Sequence, residues 1–164
     1  MDADFNTEEK SAWGGLLGLY ARMSRLIETD LQTNFGVSHV EFEILLRLSK
    51  APKQRLRLQD IAEKSLLTRS GTSRAVERLE RAGLLQRSQA REDHRGAYAT
   101  LTVQGMQLFT TALQAHVALV RHHFFAAFDE QQQQQLGLIW KQWERHQAGL
   151  TNPVRDGPIH TGKP

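Results

Sequence analysis

The sequence predicts a mainly α chain with one small β element, an α+β arrangement. Three observations carry that expectation. Apolar residues recur at helical spacing over two long stretches, Trp13 to Leu31 and Met106 to Phe124. Between them, two shorter helical patterns are separated by only a few residues, at 59–65 and 68–82. Directly after those come two short runs of strand character, 84–87 and 98–101, with a polar loop that closes on Gly96.

The first long helix covers about 8–34, with Trp13, Leu16, Leu17, Tyr20, Met23, Ile27 and Leu31 on one side. Gly14, Gly15 and Gly18 lie inside it, each costing up to about 1 kcal/mol relative to alanine. Packing must offset that, and a close backbone approach would be one reason for small residues there. Gly36 is placed to end this helix. Ser38 and Glu41 then form a capping box for the next helix, EFEILLRLSK, which is apolar around most of its circumference and belongs in the core. Ala51-Pro52 breaks it, and 53–57 is a basic connector with room for a short strand.

In the central stretch, Gln59–Ser65 is a short helix with Ile61 and Ala62 inward, and Leu66 and Leu67 fill a turn. Thr68 caps the following helix, which buries Ala75, Val76, Leu79 and Ala82 and ends at Gly83. Its first two turns present Arg69, Ser70, Thr72, Ser73 and Arg74 outward. Small hydroxyl residues let a backbone approach a groove floor, and arginine pairs bidentately with guanine. Arg78 and Arg81 lie further along, where phosphate or solvent is the expected partner. Helix, turn, helix and hairpin, in that order, make a winged helix-turn-helix, with a DNA-binding lobe at about 53–102. In the wing loop, 88–96, Arg91, His94 and Arg95 can reach phosphate or a minor groove, and Asp93 supports the loop's shape.

Thr102 is a cap for the second long helix, and Asp129 with Gln132 a capping box for the last, which carries Leu136, Ile139, Trp140 and Trp143 on one face. The helices at about 8–34 and 103–148 have wide apolar faces, which a symmetric dimer would cover. Residues 1–150 read as a single domain, and 151–164, with three of the four prolines and no periodicity, as a disordered tail.

Composition narrows the function classes. The 164 residues, 40% hydrophobic, suffice for one ordinary core. The net charge of +3 conceals a division: residues 47–95 hold 13 Lys/Arg against 6 Asp/Glu, and the remainder 8 against 12. A positive centre between acidic ends suits a phosphate-binding face. There is no cysteine, hence no disulfide or thiolate site. No membrane span or signal peptide is visible, so the cytoplasm is the expected location. His39, His116, His122, His123 and His146 show no ligand spacing, and no motif arranges a nucleophile with a base. Neither metal, cofactor nor enzymatic activity is expected.

LTRSGTSRAVERLERAGLLQR at 67–87, Asp93-His94-Arg95, then Leu101-Thr102 and Gly105 carry a specific resemblance. With the flanking helices, over about 8–148, the chain resembles the MarR (multiple antibiotic resistance regulator) family of winged-helix regulators. The resemblance implies a homodimer whose terminal helices form a dimerisation region. It implies two recognition helices on a pseudo-palindromic operator, and a repressor relieved by a small molecule. By resemblance, Thr68 to Arg74 make the groove contacts and Arg95 the wing contact, supported by Asp93. It also places an effector cleft where the first two helices meet the DNA-binding lobe. Trp13, Tyr20, Arg22, Arg25, Phe42 and Glu43 are candidates to line it for an aromatic or phenolic acid, although Trp13 and Phe42 also suit the core. A different class of function is a ligand-binding or protein-interaction module that keeps this fold with little DNA affinity. DNA retention separates the two.

Overall fold

A computed structural model describes residues 4–63, 69–89 and 97–150, with the backbone alone for residues 69 and 70. The chain divides into two units between Arg121 and His122, each taken by itself below.

The first unit begins with α1 (Thr7–Phe35). Asn6 caps it: its side chain accepts from the Glu9 N–H at 2.8 Å, and the Glu9 carboxylate accepts from the Asn6 N–H at 2.9 Å. Gly36, at φ 67°, ends it in the left-handed conformation that glycine tolerates. Only the second half of α1 joins the core, through buried Ile27 and Leu31. Trp13 is 52% exposed and Tyr20 65%, so the core role for Trp13 is corrected. Its position lies about 21 Å along the helix axis from Ile27, beyond the reach of that core. A Cβ at Gly14, Gly15 or Gly18 would meet nothing within 4 Å, so no close approach inside the chain accounts for these glycines.

α2 (His39–Lys50) carries the Ser38–Glu41 capping box and buries Phe42, Ile44, Leu45 and Leu48, which makes it the central helix. A single 3-10 turn, with Lys53 and Gln54 at φ 56° and 53°, redirects the chain into β1 (Arg55–Arg57). Then follow α3 (Leu58–Glu63), α4 (Arg69–Arg81), β2 (Leu85–Gln89), β3 (Ala97–Leu101) and α5 (Val103–His123). The strands form one antiparallel sheet in the order β1-β3-β2. Leu85, Ala99 and Leu101 point from it into the core, against Ile61, Ala75, Val76, Leu79 and Phe109.

In the second unit a 3-10 turn, Phe125–Ala127, precedes α6 (Glu130–Gly149). Asp129 and Gln132 close the expected capping box, and the Gln133 amide donates to the Phe125 and Phe128 carbonyls at 3.3 and 3.0 Å. Leu138, Ile139, Trp140 and Trp143 stand exposed along α6. Among the described residues no helix is long and apolar enough to cross a membrane. The expected disordered tail, 151–164, lies outside the described residues.

Candidate nucleic-acid interface

The buried stripe of α4 decides what its other side can offer. Thr72, Ala75, Val76 and Leu79 are each 2% exposed or less, at the i, i+3, i+4, i+7 spacing of one helix face. Thr72 was expected to face outward, and this is a correction: it shares the face of Ala75 and Val76 and packs inward. Ala82 is corrected the other way, since it is exposed where the helix has already ended. Ser73 and Arg74 are exposed on the opposite side of the first turns. Arg69 and Ser70 stand in the first turn of α4. This end of the helix points free N–H groups and a positive dipole end outward, as an anion requires.

Two ion pairs hold α4 from behind. Arg78 Nε lies 2.6 Å from Glu41 Oε1, and the Glu41 side chain is only 6% exposed. The other oxygen of Glu41 accepts from the Ser38 N–H at 2.8 Å and the Ser38 hydroxyl at 2.9 Å. One carboxylate thus closes the cap of α2 and ties it to α4. Arg78 is therefore not spent on phosphate or solvent, as its position on the helix suggested. Near the C-terminal end, Glu80 accepts from Arg87 of β2, at 2.6 Å from Nε and 3.2 Å from the backbone N–H. The helix is braced at both places before any ligand arrives.

The turn from α4 into the hairpin is built on glycines. Gly83 takes φ 73°, and its carbonyl accepts from the Thr102 hydroxyl at 2.7 Å. That hydroxyl in turn accepts from the Gly105 N–H at 2.9 Å and caps α5, as expected of Thr102. A Cβ on Gly105 would lie 1.9 Å from the Leu84 carbonyl oxygen. Only glycine lets α5 start this close to the end of α4. The strands of the hairpin run to Gln89 and from Ala97, longer than expected by two residues and one.

Of the predicted contact residues, the structure brings Ser73 and Arg74 together on one exposed face. Thr68, Arg91, Asp93, His94 and Arg95 lie outside the described residues. The candidate cleft residues separate in the single chain. Trp13, Tyr20, Arg22 and Arg25 are exposed on α1, whereas Phe42 is buried with its ring 5.7 Å from that of Phe109 and 5.1 Å from that of His116. Glu43 lies beside Arg47 at 3.8 Å and His39 at 4.0 Å. Burial, and then the charge of His39, hold His116 below its ordinary value of 6.5, partly opposed by Glu43 and Asp30. Among the described residues no group of three His, Asp or Glu is placed to hold a metal ion. The sequence reading missed the Arg78–Glu41 pair and a second contact, Arg57 Nε donating to the Tyr98 hydroxyl at 3.0 Å. A buried acid at a cap and an aromatic opposite an arginine were the available signals.

Comparison with known proteins agrees with this geometry. A family model described as MarR family matches residues 35–96. The crystal structure of Sco3205, a MarR family transcriptional regulator from Streptomyces coelicolor in complex with DNA, is 29% identical. It superposes with a TM-score of 0.82, over 95% of this chain and 96% of that one. AbsC, a MarR family transcriptional regulator from the same organism, is 30% identical with a TM-score of 0.80, over 91% of this chain and all of AbsC. YkoM of Bacillus subtilis, an uncharacterized HTH-type transcriptional regulator, is 28% identical over 145 residues, 86% of this chain and 92% of its own.

Proposed function

The chain belongs to the MarR family of helix-turn-helix transcriptional regulators, and on that premise we propose that it acts as a homodimeric, ligand-responsive repressor on a pseudo-palindromic operator. The observation that carries the reading is the exposed Ser73–Arg74 face of α4, held from behind by the buried stripe and the Arg78–Glu41 pair. A helix that enters a groove must be rigid before it arrives, because ordering it on binding would subtract from affinity. The Sco3205 complex supports DNA as the ligand. Arg69, Ser70, Ser73 and Arg74 would read the major groove, with Thr68 at the helix start. Arg91, His94 and Arg95 would hold the flanking backbone or minor groove, with Asp93 as support.

Dimerisation is supported by apolar surface that the single chain leaves uncovered. Trp13, Leu17 and Tyr20 of α1 are about half exposed or more, and so are Leu138, Ile139 and Trp143 of α6. A second copy covering these faces would set the separation of two α4 helices, which must be near 34–36 Å to enter successive major grooves. Residues 1–150 would then act as one domain. Trp13, Tyr20, Arg22 and Arg25 would meet the partner subunit at the rim of a cleft for an aromatic or phenolic acid. Such an effector shifts the spacing only through its different affinity for the two states.

Selection of duplexes from a randomised library by the full chain tests the reading, with light scattering for mass. The expected result is a dimer that enriches half-sites centred about 10 bp apart and releases them in the presence of an aromatic acid. A reporter behind the enriched site should be silenced. A chain that enriches no sequence is a binding module on the same fold, and the proposal fails.

A further inference from the structure

We infer that the outward face of the three-stranded sheet is a second DNA-backbone surface, where Arg55 and Arg57, ordered by Tyr98, take phosphates flanking the sequence that α4 reads. This rests on the DNA-binding reading above and extends it to a part of the lobe outside the helix-turn-helix and the wing loop.

The register creates the face. Arg57, Tyr98 and Ser88 form one rank across the sheet, and Arg55, Thr100 and Gln86 the next. Side chains alternate along a strand, so these six share one side, while Leu56, Ala99, Leu85 and Leu101 take the core side. An outward sheet face is ordinarily a solvated mixture of charges. This one holds two arginines, a tyrosine, two hydroxyl residues and an amide, and no acid. Both arginines are exposed, and among the described residues no carboxylate pairs with Arg55.

Tyr98 gives the two cations a fixed geometry. The Arg55 guanidinium carbon sits 3.9 Å from the ring centroid and that of Arg57 5.5 Å. Arg57 also donates its Nε–H to the Tyr98 hydroxyl. A guanidinium stacked on a ring keeps its N–H edges available in its own plane, and it has already lost much of the rotamer freedom that binding would otherwise take. Two such forks side by side match phosphate oxygens better than freely moving lysines would.

The position of the face favours DNA over an acidic peptide. Arg57 is followed at once by Leu58, the first residue of α3. Tyr98 and Ser88 lie one rank from the last paired residues before the wing loop, Gln89 and Ala97. The patch is therefore continuous with both parts of the proposed DNA surface. Backbone contacts there would add affinity and register without reading bases.

Salt dependence of binding tests this with the full chain and a library-selected duplex of about 40 bp, long enough to include flanking backbone. Loss of two phosphate contacts in the R55Q/R57Q double variant should lower the slope of log K against log salt by about 1.8. The same term weakens binding about 60-fold at about 0.1 M salt. The preference for the selected over a scrambled duplex should stay as in the wild type. R55K/R57K should restore the slope, since it restores the charge. On a duplex trimmed to the enriched half-sites, wild type and R55Q/R57Q should bind alike. A slope unchanged in R55Q/R57Q, with wild type bound, overturns this inference and leaves the proposed function standing. A wild type that retains no duplex overturns both.

Discussion

Replacing Arg78 by alanine separates the two roles open to a cation at this point of α4. The side chain is 53% exposed, which would suit a phosphate contact, yet its Nε lies 2.6 Å from a Glu41 carboxylate that is 6% exposed. Truncation leaves Glu41 buried with one oxygen unpaired, while the other keeps both bonds from Ser38. Loss of one charge-assisted bond to a buried acceptor costs about 1.5–3 kcal/mol. Glu41→Gln should cost less, because glutamine also closes a capping box and the half-exposed Arg78 can turn to water. A cycle of Arg78→Ala, Glu41→Gln and the double variant should therefore show a coupling of about 1–2 kcal/mol. Urea midpoints at one fixed protein concentration read it, since dimer stability depends on concentration. DNA binding by Arg78→Ala should weaken with its salt slope intact, because the helix loses a brace and no phosphate contact. Zero coupling together with a slope lower by about 0.9 would make Arg78 a phosphate ligand and refute the reasoning.

Gly105→Ala should destabilise the fold by about 3 kcal/mol, the top of the usual overpacking range, because the new methyl meets the Leu84 carbonyl at 1.9 Å. A loss under about 1 kcal/mol in the same denaturation assay would mean that the entry of α5 shifts freely. Arg74→Ala should weaken specific binding by about 1–3 kcal/mol at unchanged stability, read as a smaller ratio of selected to scrambled duplex. Leu17→Glu places a charge on the uncovered face of α1, and light scattering should find monomer or aggregate; a folded dimer would remove this face from the interface. His116, held low by burial, binds fewer protons folded than unfolded. Stability should be full above its unfolded value near 6.5 and should fall as pH drops below that value. Urea midpoints across that interval should lose part of this dependence in His116→Gln.

Several elements were legible because their signals are local. The Ser38–Glu41 and Asp129–Gln132 boxes, the Thr102 cap and the glycine ends at Gly36 and Gly83 each involve residues within a few positions of one another. The Asn6–Glu9 box is equally local and was simply passed over. Thr72 shows a different failure. A threonine among serines and arginines reads as exposed, yet the stripe through Ala75, Val76 and Leu79 begins one turn earlier and claims it. The Arg78–Glu41 and Arg57–Tyr98 contacts join residues 37 and 41 positions apart, and no spacing rule reaches that far.

The sequence by itself determined the order of elements, most of their ends, and that a hydroxyl- and arginine-bearing helix is followed by a basic hairpin. Those properties depend on hydrogen bonds three or four residues long and on periodic burial. Only the tertiary structure decided which side of α4 is free, that Arg78 is occupied by Glu41, that Gly105 must be glycine, and that two arginines meet over Tyr98. Each of these depends on which distant segments are brought into contact. That choice is made by the packing of the whole core, to which no single stretch of the chain holds the answer.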